Sequence, residues 1–343
     1  MKRLTRFKIG VVGGSGYIGS RIAYSLSSNY AVKVVDMKAP PLILEDKVEY
    51  AHCSVIDFAN VERALNDVNL VIHTAIVQIP LITQEKKMAY EVNLLGTQNV
   101  CKIVHQTPSI KGAILAGSWH VFGERGLDST IDEEFGYRPD KVEERARLYA
   151  LSKVGQEIIV RYYDEMSEKV FGVIRMATVL GEGMPEKTAA KIFISRGVRG
   201  EPITPFKHSM YRPMLYIDIN DVCVAFKKYA DKILKDEVPK EENSLSHIVN
   251  LCWPEPITII DLARIAQDAI VRLTKKRLNP KIEIIDQGQP ILYDPADKEK
   301  LKADISKLRR FLGMSELTSP KKSIERIVQA FLIETPENEA PHK

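Results

Sequence analysis

The stretch that decides the fold runs Phe7-Lys8-Ile9-Gly10-Val11-Val12-Gly13-Gly14-Ser15-Gly16-Tyr17-Ile18-Gly19. Its first six residues form an apolar run of strand length, and a helix-period stretch from Tyr17 to Ser28 follows. Glycines at 13, 16 and 19 allow a sharp turn, a close approach of backbone N–H groups to a pyrophosphate, and tight packing of helix on strand. The stretch therefore predicts a strand–turn–helix unit suited to a dinucleotide. A tight turn with nothing bound is the alternative that the glycines alone leave open.

A carboxylate at the end of the second predicted strand narrows the choice of ligand. The strand Val32-Lys33-Val34-Val35-Asp36 places Asp36 17 residues after Gly19. A carboxylate at this position can accept hydrogen bonds from both ribose hydroxyls of an adenosine, and it repels a 2′-phosphate. Together with the glycines, Asp36 predicts NAD in preference to NADP. Taken alone, Asp36 is equally compatible with a helix cap or a turn.

Strand-length and helix-period stretches alternate through the first half of the chain. Such alternation, with strands this apolar, predicts the fold class α/β: a Rossmann-type doubly wound parallel sheet with a smaller, irregular C-terminal substrate lobe. Prolines become frequent after Gly181, where we expect the lobe to begin. The predicted division is an NAD-binding domain of residues 1–180 plus roughly 214–252, a substrate-binding lobe of 181–213 and 253–335, and a frayed tail at 336–343.

The composition excludes several classes of protein. Lys and Arg number 49 and Asp and Glu number 45, a surplus too small to predict binding to nucleic acid or to an anionic membrane. The four cysteines show no spacing typical of a zinc site or a disulfide framework, so neither a metal nor an oxidising compartment is expected. No apolar run reaches the 18 or so residues that a membrane helix needs. We therefore expect a cytoplasmic protein.

The segment Tyr149-Ala150-Leu151-Ser152-Lys153 provides a candidate acid–base pair. On a helix, Tyr149 and Lys153 lie four residues apart and share a face. A phenol with a pKa near 10 is a poor base at neutral pH, but a nearby cation favours the phenolate and lowers that pKa. A packed tyrosine beside a solvated lysine is the alternative that this pair alone leaves open.

Motifs over most of the chain resemble those of one family in the same order. They are Val71-Ile72-His73-Thr74-Ala75-Ile76 (hydrophobic-His-x-Ala-Ala), Asn93–Asn99 (N-x-x-G-T-x-N), Ala116–Gly123 (S-S-x-x-V-Y-G), Arg175–Gly181 (R-x-x-x-V-x-G), Gly200–Ile203 with Tyr211–Asp218, Asn250, and Ala303–Lys307 with Leu312-Gly313. The chain thus resembles the extended short-chain dehydrogenase/reductase superfamily, NAD-dependent epimerase/dehydratase family, and within it UDP-glucose 4-epimerase-like proteins. The resemblance implies a homodimer formed by the helices at Glu85–His105 and Glu144–Met166.

The resemblance also assigns residues to roles. It implies that Ser118, Tyr149 and Lys153 are catalytic. Cofactor contacts are expected from Gly13, Ser15, Gly16, Tyr17, Ile18, Gly19, Asp36, Ser54, Val55, Thr74, Ala75, Ile76, Asn93, Tyr149, Lys153 and Met176, and substrate contacts from Ser118, Trp119, His120 and Arg212. Ser54 stands where the family usually has an Asp beside the adenine. The long charged stretch Glu124–Arg147 departs from the family pattern and is expected to shape the mouth of the substrate site.

The two residues after Ser118 bear on the reaction. Sugar dehydratases and decarboxylases of the family usually have acidic residues there, whereas this chain has Trp119 and His120. His120 is either an acid–base group or a packing residue. The leading expectation is an NAD-dependent nucleotide-sugar 4-epimerase. The alternative is an NAD-dependent dehydrogenase of a small alcohol or amino alcohol, similar to L-threonine dehydrogenases, which share Val121-Phe122-Gly123. A dehydratase and a non-catalytic NAD-sensing module are less favoured.

Overall fold

The main element of the computed structural model, which describes residues 7–127 and 129–334, is a seven-stranded sheet. Its strands are β1 (Lys8–Val12), β2 (Ala31–Asp36), β3 (Glu49–His52), β4 (Leu70–His73), β5 (Gly112–Ser118), β6 (Val170–Met176) and β7 (Ile248–Leu251). Their order in the sheet is β7-β6-β5-β4-β1-β2-β3, and all neighbouring strands are parallel. The predicted fold class is confirmed, and β7, which lies far along the chain from the other strands, pairs with β6 at the end of this sheet.

The longer helices that the structure describes are α1 (Tyr17–Ser27), α2 (Phe58–Leu65), α3 (Gly96–Gln106), α4 (Arg147–Glu165), α5 (Ala189–Val198), α6 (Ile219–Leu234), α7 (Ile259–Leu273) and α8 (Pro320–Glu334). None of the described helices combines the length and apolar composition needed to cross a bilayer. The helical stretch predicted at 85–105 is interrupted: a short helix Lys86–Tyr90 leads through a π turn, Glu91–Leu95, into α3.

Helices cover both faces of the sheet, which explains why the strands are so apolar. All seven residues of β5 and all seven of β6 are buried. On one face, Phe171 and Val173 of β6 join a core cluster with residues of α2, α3 and α4. On the other face, Tyr229 of α6 packs at Gly172, where an added Cβ would lie 2.3 Å from the phenol oxygen. Successive residues of β6 therefore pack on opposite faces of the sheet, because side chains alternate between the two faces along a strand.

Two compact units make up the chain. The first consists of residues 7–177, 221–251 and 304–315, and it contains the whole sheet. The second consists of 178–220, 252–303 and 316–334, where α5, α7 and α8 pack together with short strand pairs. In this second unit, buried Asp218 accepts a hydrogen bond from Ser323 at 2.6 Å and pairs with Arg326 at 2.9 Å. The domain boundaries expected from the sequence stay a prediction, and the tail at 336–343 lies outside the described residues.

Candidate active site

The carboxyl ends of the central strands bring most of the predicted site residues of the first unit to one edge of the sheet. Val12 at the end of β1 is aligned with His73 at the end of β4, and Ser118 at the end of β5 is aligned with Met176 of β6. The strand order reverses between β1 and β4, and ligands of open α/β sheets bind at this kind of reversal. The topology therefore indicates where a ligand of the first unit lies.

The turn after β1 is pressed against the end of β4. Gly13 has a φ of +79°, and a Cβ at this position would lie 2.5 Å from the backbone nitrogen of Ala75. The Thr74 hydroxyl donates to the carbonyls of Val12 and Gly13, at 2.9 and 3.0 Å. Only glycine tolerates both the positive φ and the close approach, so the geometry of this turn requires Gly13. Thr74 holds the turn through its side chain.

The start of α1 fits a dinucleotide phosphate. An added Cβ on Gly16 would meet only the Gly13 carbonyl oxygen, at 3.4 Å, so the space outside this backbone is open. Gly16 is the N-cap of α1, offers no side chain to the first turn, and no acidic residue lies in that turn. The Gly16 N–H donates to the Gly13 carbonyl at 3.2 Å. The N–H groups of Tyr17 and Ile18 in the first turn thus combine with the positive end of the helix dipole to favour an anion.

Asp36 lies directly behind this turn. Its carboxylate accepts hydrogen bonds from the backbone nitrogens of Ser15 and Lys38, both at 3.0 Å. Ser15 in turn donates its hydroxyl to the Lys38 carbonyl at 2.7 Å. The negative charge of Asp36 is therefore fixed beside the glycine turn, where it suits ribose hydroxyls and disfavours an additional phosphate.

The other expected cofactor residues lie around the same edge of the sheet. Val55 is buried beside half-buried Ser54, and its carbonyl accepts a hydrogen bond from Asn99 at 2.9 Å. Ala75 and Ile76 are half-buried in the segment after β4. The Asn93 amide is engaged with the backbone of Val77 and with the Ser152 hydroxyl, so it fixes the segment after β4. A direct contact of any of these residues with the cofactor stays a prediction.

A chain of polar groups begins at Tyr149 and ends at a buried carboxylate. A hydrogen bond joins the hydroxyls of Tyr149 and Ser118. The Ser118 hydroxyl lies 3.1 Å from Nδ1 of His120, and Nε2 of His120 lies 3.4 Å from the Glu124 carboxylate, whose side chain is 0% exposed. The His120 ring also contacts the Tyr149 ring edge-on at 5.3 Å between centroids. The structure therefore brings together three of the predicted site residues, Ser118, Tyr149 and His120, and adds Glu124.

Lys153 lies on the same face of α4 as Tyr149, but its ammonium is hydrogen-bonded to other groups. Its ammonium donates to the Ala116 carbonyl at 2.8 Å and to Oε1 of Gln156 at 2.9 Å, and it lies 6.0 Å from the centre of the Tyr149 ring. Burial lowers the pKa of Lys153 to about 7, although nearby Glu157 acts to raise it. Burial raises the pKa of Tyr149 to about 12, against the opposing effect of the Ser118 hydrogen bond.

Gln156 links Lys153 to the end of β4. Its amide nitrogen donates to the Thr97 hydroxyl at 2.9 Å and to the Ala75 carbonyl at 3.3 Å. His73 Nε2 also contacts the Thr97 hydroxyl at 2.9 Å. Gln156, although buried, was not among the predicted site residues. The spacing of Tyr149, Lys153 and Gln156 at i, i+4 and i+7 places all three on one helix face and could have revealed it.

The charged stretch 124–147 is anchored beside the site by a buried ion pair. Arg175 contacts the Glu157 carboxylate at 2.6 Å, and both side chains are almost fully buried. Arg175 also donates to the Glu133 carbonyl at 2.9 Å, and Tyr137 donates its hydroxyl to Glu157 at 2.9 Å. Glu133 and Tyr137 of the stretch are thereby hydrogen-bonded to the ion pair that joins β6 to α4.

The remaining substrate candidates fall in different units. Trp119 is buried in the first unit, with its ring centroid 5.3 Å from that of His120. Arg212 is buried in the second unit, immediately before the short strand Pro213–Met214. Its positive charge opposes the rise in the pKa of Tyr216 that burial causes. An arginine with few solvent contacts suits an anionic group.

The glycine turn, the carboxylate behind it and the hydrogen-bonded Ser118–Tyr149 pair define a dinucleotide-dependent α/β enzyme. The family model described as the NAD dependent epimerase/dehydratase family matches residues 9–244, and the chain belongs to this family. The protein is accordingly an NAD-dependent enzyme of the epimerase/dehydratase type, and the predicted family and cofactor are confirmed.

The chain is also similar to curated proteins and to solved structures. UDP-glucuronate 4-epimerase 4 of Arabidopsis thaliana is 24% identical over 348 residues, which cover 94% of this chain and 74% of the relative. The UDP-glucose 4-epimerase of Thermus thermophilus in complex with NAD superimposes with a TM-score of 0.73 at 20% identity, covering 95% of this chain and 99% of that chain. The UDP-glucose 4-epimerase of Thermotoga maritima with UDP-glucose gives 0.73 at 20% identity, covering 96% and 99%. The structural likeness shows the fold.

The position of Asp36 leads to a prediction about cofactor choice. The protein should bind NAD⁺ more tightly than NADP⁺, and Asp36→Asn should reduce this preference at least ~10-fold, because hydrogen bonds to a charged group contribute about 1.5–3 kcal/mol each. Asparagine has nearly the same shape as aspartate and retains an acceptor for one of the two backbone N–H groups that Asp36 binds, which makes it the conservative change. Calorimetric titration of both variants with both nucleotides measures the effect. An unchanged preference would remove Asp36 from the ribose site.

The pKa of Lys153 leads to a prediction about stability. Between pH 7 and the ordinary lysine pKa, the unfolded chain holds a proton that the folded chain has released, so the free energy of unfolding rises with pH in this window. Relative to Lys153→Met, the parent should gain up to about 1.4 kcal/mol per pH unit from pH 7 to 10. Denaturant unfolding of both proteins at several pH values measures the difference. Parallel pH profiles would mean that Lys153 titrates normally.

Proposed function

We propose that the protein is an NAD-dependent 4-epimerase of a nucleotide sugar. The observation that carries the proposal is the Ser118–Tyr149 hydrogen bond at the same sheet edge as the glycine turn, followed by Trp119 and His120 in place of acidic residues. The names of the Arabidopsis, Thermus and Thermotoga proteins support the reaction and the substrate class.

The proposed roles follow from the groups at the site. Tyr149 accepts the proton of the sugar hydroxyl, and Ser118 donates a hydrogen bond to the reacting oxygen as its charge changes. Bound NAD supplies the acceptor of the hydride from the same carbon. Lys153 is a cation on the same helix face as Tyr149 and would contact the ribose next to the nicotinamide, after exchanging its bonds to Ala116 and Gln156.

Epimerisation needs fewer groups than the other reactions of the family. The proton leaves the hydroxyl oxygen and the hydride leaves the carbon that bears it. The hydride then returns to the opposite face of that carbon and the proton returns to the oxygen, so no second acid or base is required. Elimination or decarboxylation needs a further acid–base group, and the two positions after Ser118 hold no carboxylic acid. The residues of this chain therefore favour epimerisation over dehydration.

Arg212 is the proposed contact for the diphosphate of the substrate. A guanidinium can bind two phosphate oxygens through parallel N–H groups, and burial strengthens such a bond. The burial of Arg212 beside Tyr216 supports this role. The remaining cofactor residues predicted from the resemblance are proposed to line the nucleotide site at the sheet edge.

A homodimer is proposed from the apolar surface of two helical segments. Leu151, Ile158 and Tyr162 of α4 are 44%, 39% and 71% exposed, and their spacing of seven and four residues puts them on one face. Tyr90 and Leu95, in the segment before α3, are 55% and 44% exposed. These are the two segments for which the sequence predicted an interface between two copies of the chain.

The proposed location is the cytoplasm. The four cysteines, Cys53, Cys101, Cys223 and Cys252, are free and buried. Unpaired cysteines are typical of proteins in a reducing compartment.

The test of the function is the conversion of UDP-glucose and UDP-glucuronate by the NAD-loaded protein, followed by proton NMR. We expect the 4-epimer of at least one sugar to accumulate to an equilibrium ratio without net formation of NADH. Tyr149→Phe should lower turnover at least ~100-fold, because it removes the hydroxyl that accepts the proton. NAD binding by this variant should remain close to that of the parent.

Arg212→Ala serves as the variant for substrate binding. It should raise KM roughly 10- to 100-fold, in keeping with the loss of a hydrogen bond to a charged group, and leave NAD binding unchanged. If the protein forms NADH from a small uncharged alcohol, and Arg212→Ala does so at the same rate, the protein is a dehydrogenase and not an epimerase. A 4-keto-6-deoxy product would instead identify a dehydratase.

The dimer is tested by light scattering after gel filtration. The parent should have about twice the mass of one chain, and Tyr162→Glu should shift the equilibrium towards monomer because it places a charge in a buried apolar interface. Leu42→Glu is the matched control, since Leu42 is 83% exposed and lies outside the proposed interface. A monomeric parent, or equal masses for parent and Tyr162→Glu, would exclude this interface.

A further inference from the structure

Gln156 is a fully buried side chain to which the proposed reaction assigns no chemical step. It lies on α4, on the same face as Tyr149 and Lys153, and its exposed fraction is 0%. A buried amide costs free energy unless both of its ends are hydrogen-bonded. Both ends of Gln156 have partners, and the partners belong to three parts of the chain: α4 itself, α3 and the segment after β4.

The chemistry of these partners fixes the orientation of the amide. The Lys153 ammonium donates, so the atom that faces it at 2.9 Å is the amide oxygen. The Ala75 carbonyl accepts, so the atom that faces it at 3.3 Å is the amide nitrogen. The same nitrogen donates to the Thr97 hydroxyl at 2.9 Å. A reversed amide would place its nitrogen against the ammonium and its oxygen against the carbonyl.

The backbone of Ala75 is the part of the sheet edge that this amide nitrogen reaches. On one side it lies against the glycine turn, where a Cβ on Gly13 would be 2.5 Å from the Ala75 nitrogen. On the other side its carbonyl accepts from Gln156. The preceding residue, Thr74, donates its hydroxyl to the Gly13 carbonyl at 3.0 Å. The hydrogen bond from Gln156 therefore joins α4, the helix of the acid–base pair, to the backbone that packs on the nucleotide turn.

A second buried amide holds the same segment two residues further on. Asn93 accepts from the backbone N–H of Val77 at 2.7 Å and donates to its carbonyl at 3.2 Å. The Thr97 hydroxyl connects the two amides, because it accepts from Gln156 and donates to the Asn93 carbonyl at 2.7 Å. The segment after β4 is thus held from α4 and from the helical segment that contains Asn93.

We propose that Gln156 is a positioning residue, which sets the distance between α4 and the segment after β4 through its amide nitrogen. Hydride and proton transfer at one carbon and its oxygen require NAD and Tyr149 to be held in a fixed relation. A displacement of about 1 Å can lower a rate roughly 100-fold. Gln156 acts on this relation without touching the substrate. The inference rests on the proposed reaction of Tyr149 with bound NAD, but NAD binding alone is enough to test it.

The first experiment measures NAD affinity by calorimetry and uses two substitutions that separate the two ends of the amide. Gln156→Met removes both ends. Gln156→Glu keeps an acceptor for Lys153 but replaces the donor by an oxygen that repels the Ala75 carbonyl. We expect both variants to bind NAD at least ~10-fold more weakly, in keeping with lost hydrogen bonds of a buried group. Affinity equal to the parent in Gln156→Glu would overturn the proposal, because the oxygen end alone would then matter.

Gln267→Met is the matched control for these substitutions. Gln267 is a half-buried residue of α7 in the second unit, and its amide nitrogen donates to the Pro280 carbonyl at 2.7 Å. The control removes the same kind of hydrogen bond, so it should lower the free energy of unfolding and leave NAD affinity unchanged. Equal losses of NAD affinity in Gln267→Met and Gln156→Met would show a general effect of stability, and the proposal would fail.

The second experiment tests whether Gln156 acts through its partner on α3. Thr97→Val removes the hydroxyl and keeps the shape of the side chain. The two residues share a hydrogen bond, so their substitutions should not act independently. The double variant Thr97→Val/Gln156→Met should bind NAD no more weakly than the weaker-binding of the two single variants. Losses that multiply in the double variant would contradict a shared role.

Turnover of the nucleotide sugar provides a further readout and separates this inference from the proposed function. In Gln156→Met saturated with NAD, kcat should fall at least ~10-fold and KM for the sugar should stay unchanged, because the substrate does not touch Gln156. A raised KM with an unchanged kcat would contradict the positioning role. If the parent does not epimerise the sugar, the proposed function fails, and the NAD affinities of the variants still decide the role of Gln156.

Discussion

The close approach of the β1 turn to the end of β4 is the constraint on which the rest of the site depends. Gly13 can lie against Ala75 only because it has no side chain. The Thr74 hydroxyl then holds the two segments together by donating hydrogen bonds to the carbonyls of Val12 and Gly13. This contact sets the direction in which α1 leaves the sheet. It thereby aims the uncapped first turn of the helix at the same edge where Ser118 ends β5. The nucleotide site and the acid–base residues share this edge because the parallel strands β1, β4 and β5 all end there.

Burial has opposite consequences for the two ionisable residues of α4. A low-dielectric environment disfavours a charge of either sign, so it raises the pKa of Tyr149 and lowers that of Lys153. Burial therefore shifts both groups towards their neutral forms. Gln156 and the Ala116 carbonyl offset part of this cost for the ammonium, because they supply two acceptors in the place of water. A bound cofactor that offers Lys153 better hydrogen-bond acceptors would favour its protonated form and would also move its side chain.

The sequence predicted the parts of the site that depend on local pattern. The glycine spacing, the carboxylate at the end of β2 and the i, i+4 pair on α4 are each encoded within a few residues, and the parallel sheet follows from the alternation of apolar runs. Gln156 was missed because its importance depends on Thr97 and Ala75, which are distant in the chain. The partner of Arg175 was missed for the same reason: Glu157 lies on a helix, and only the packing of α4 on β6 brings the charges together.

The contacts of His120 also bear on what kind of acid–base residue it can be. A base that removes a proton from a sugar carbon needs a ring nitrogen directed at that carbon, with its lone pair available. Here Nδ1 faces the Ser118 hydroxyl and Nε2 faces the Glu124 carboxylate, so both nitrogens are directed at groups of the protein. These contacts argue against His120 taking over elimination from the acidic residues that dehydratases have at these positions. The replacement of those residues is therefore consistent with epimerisation.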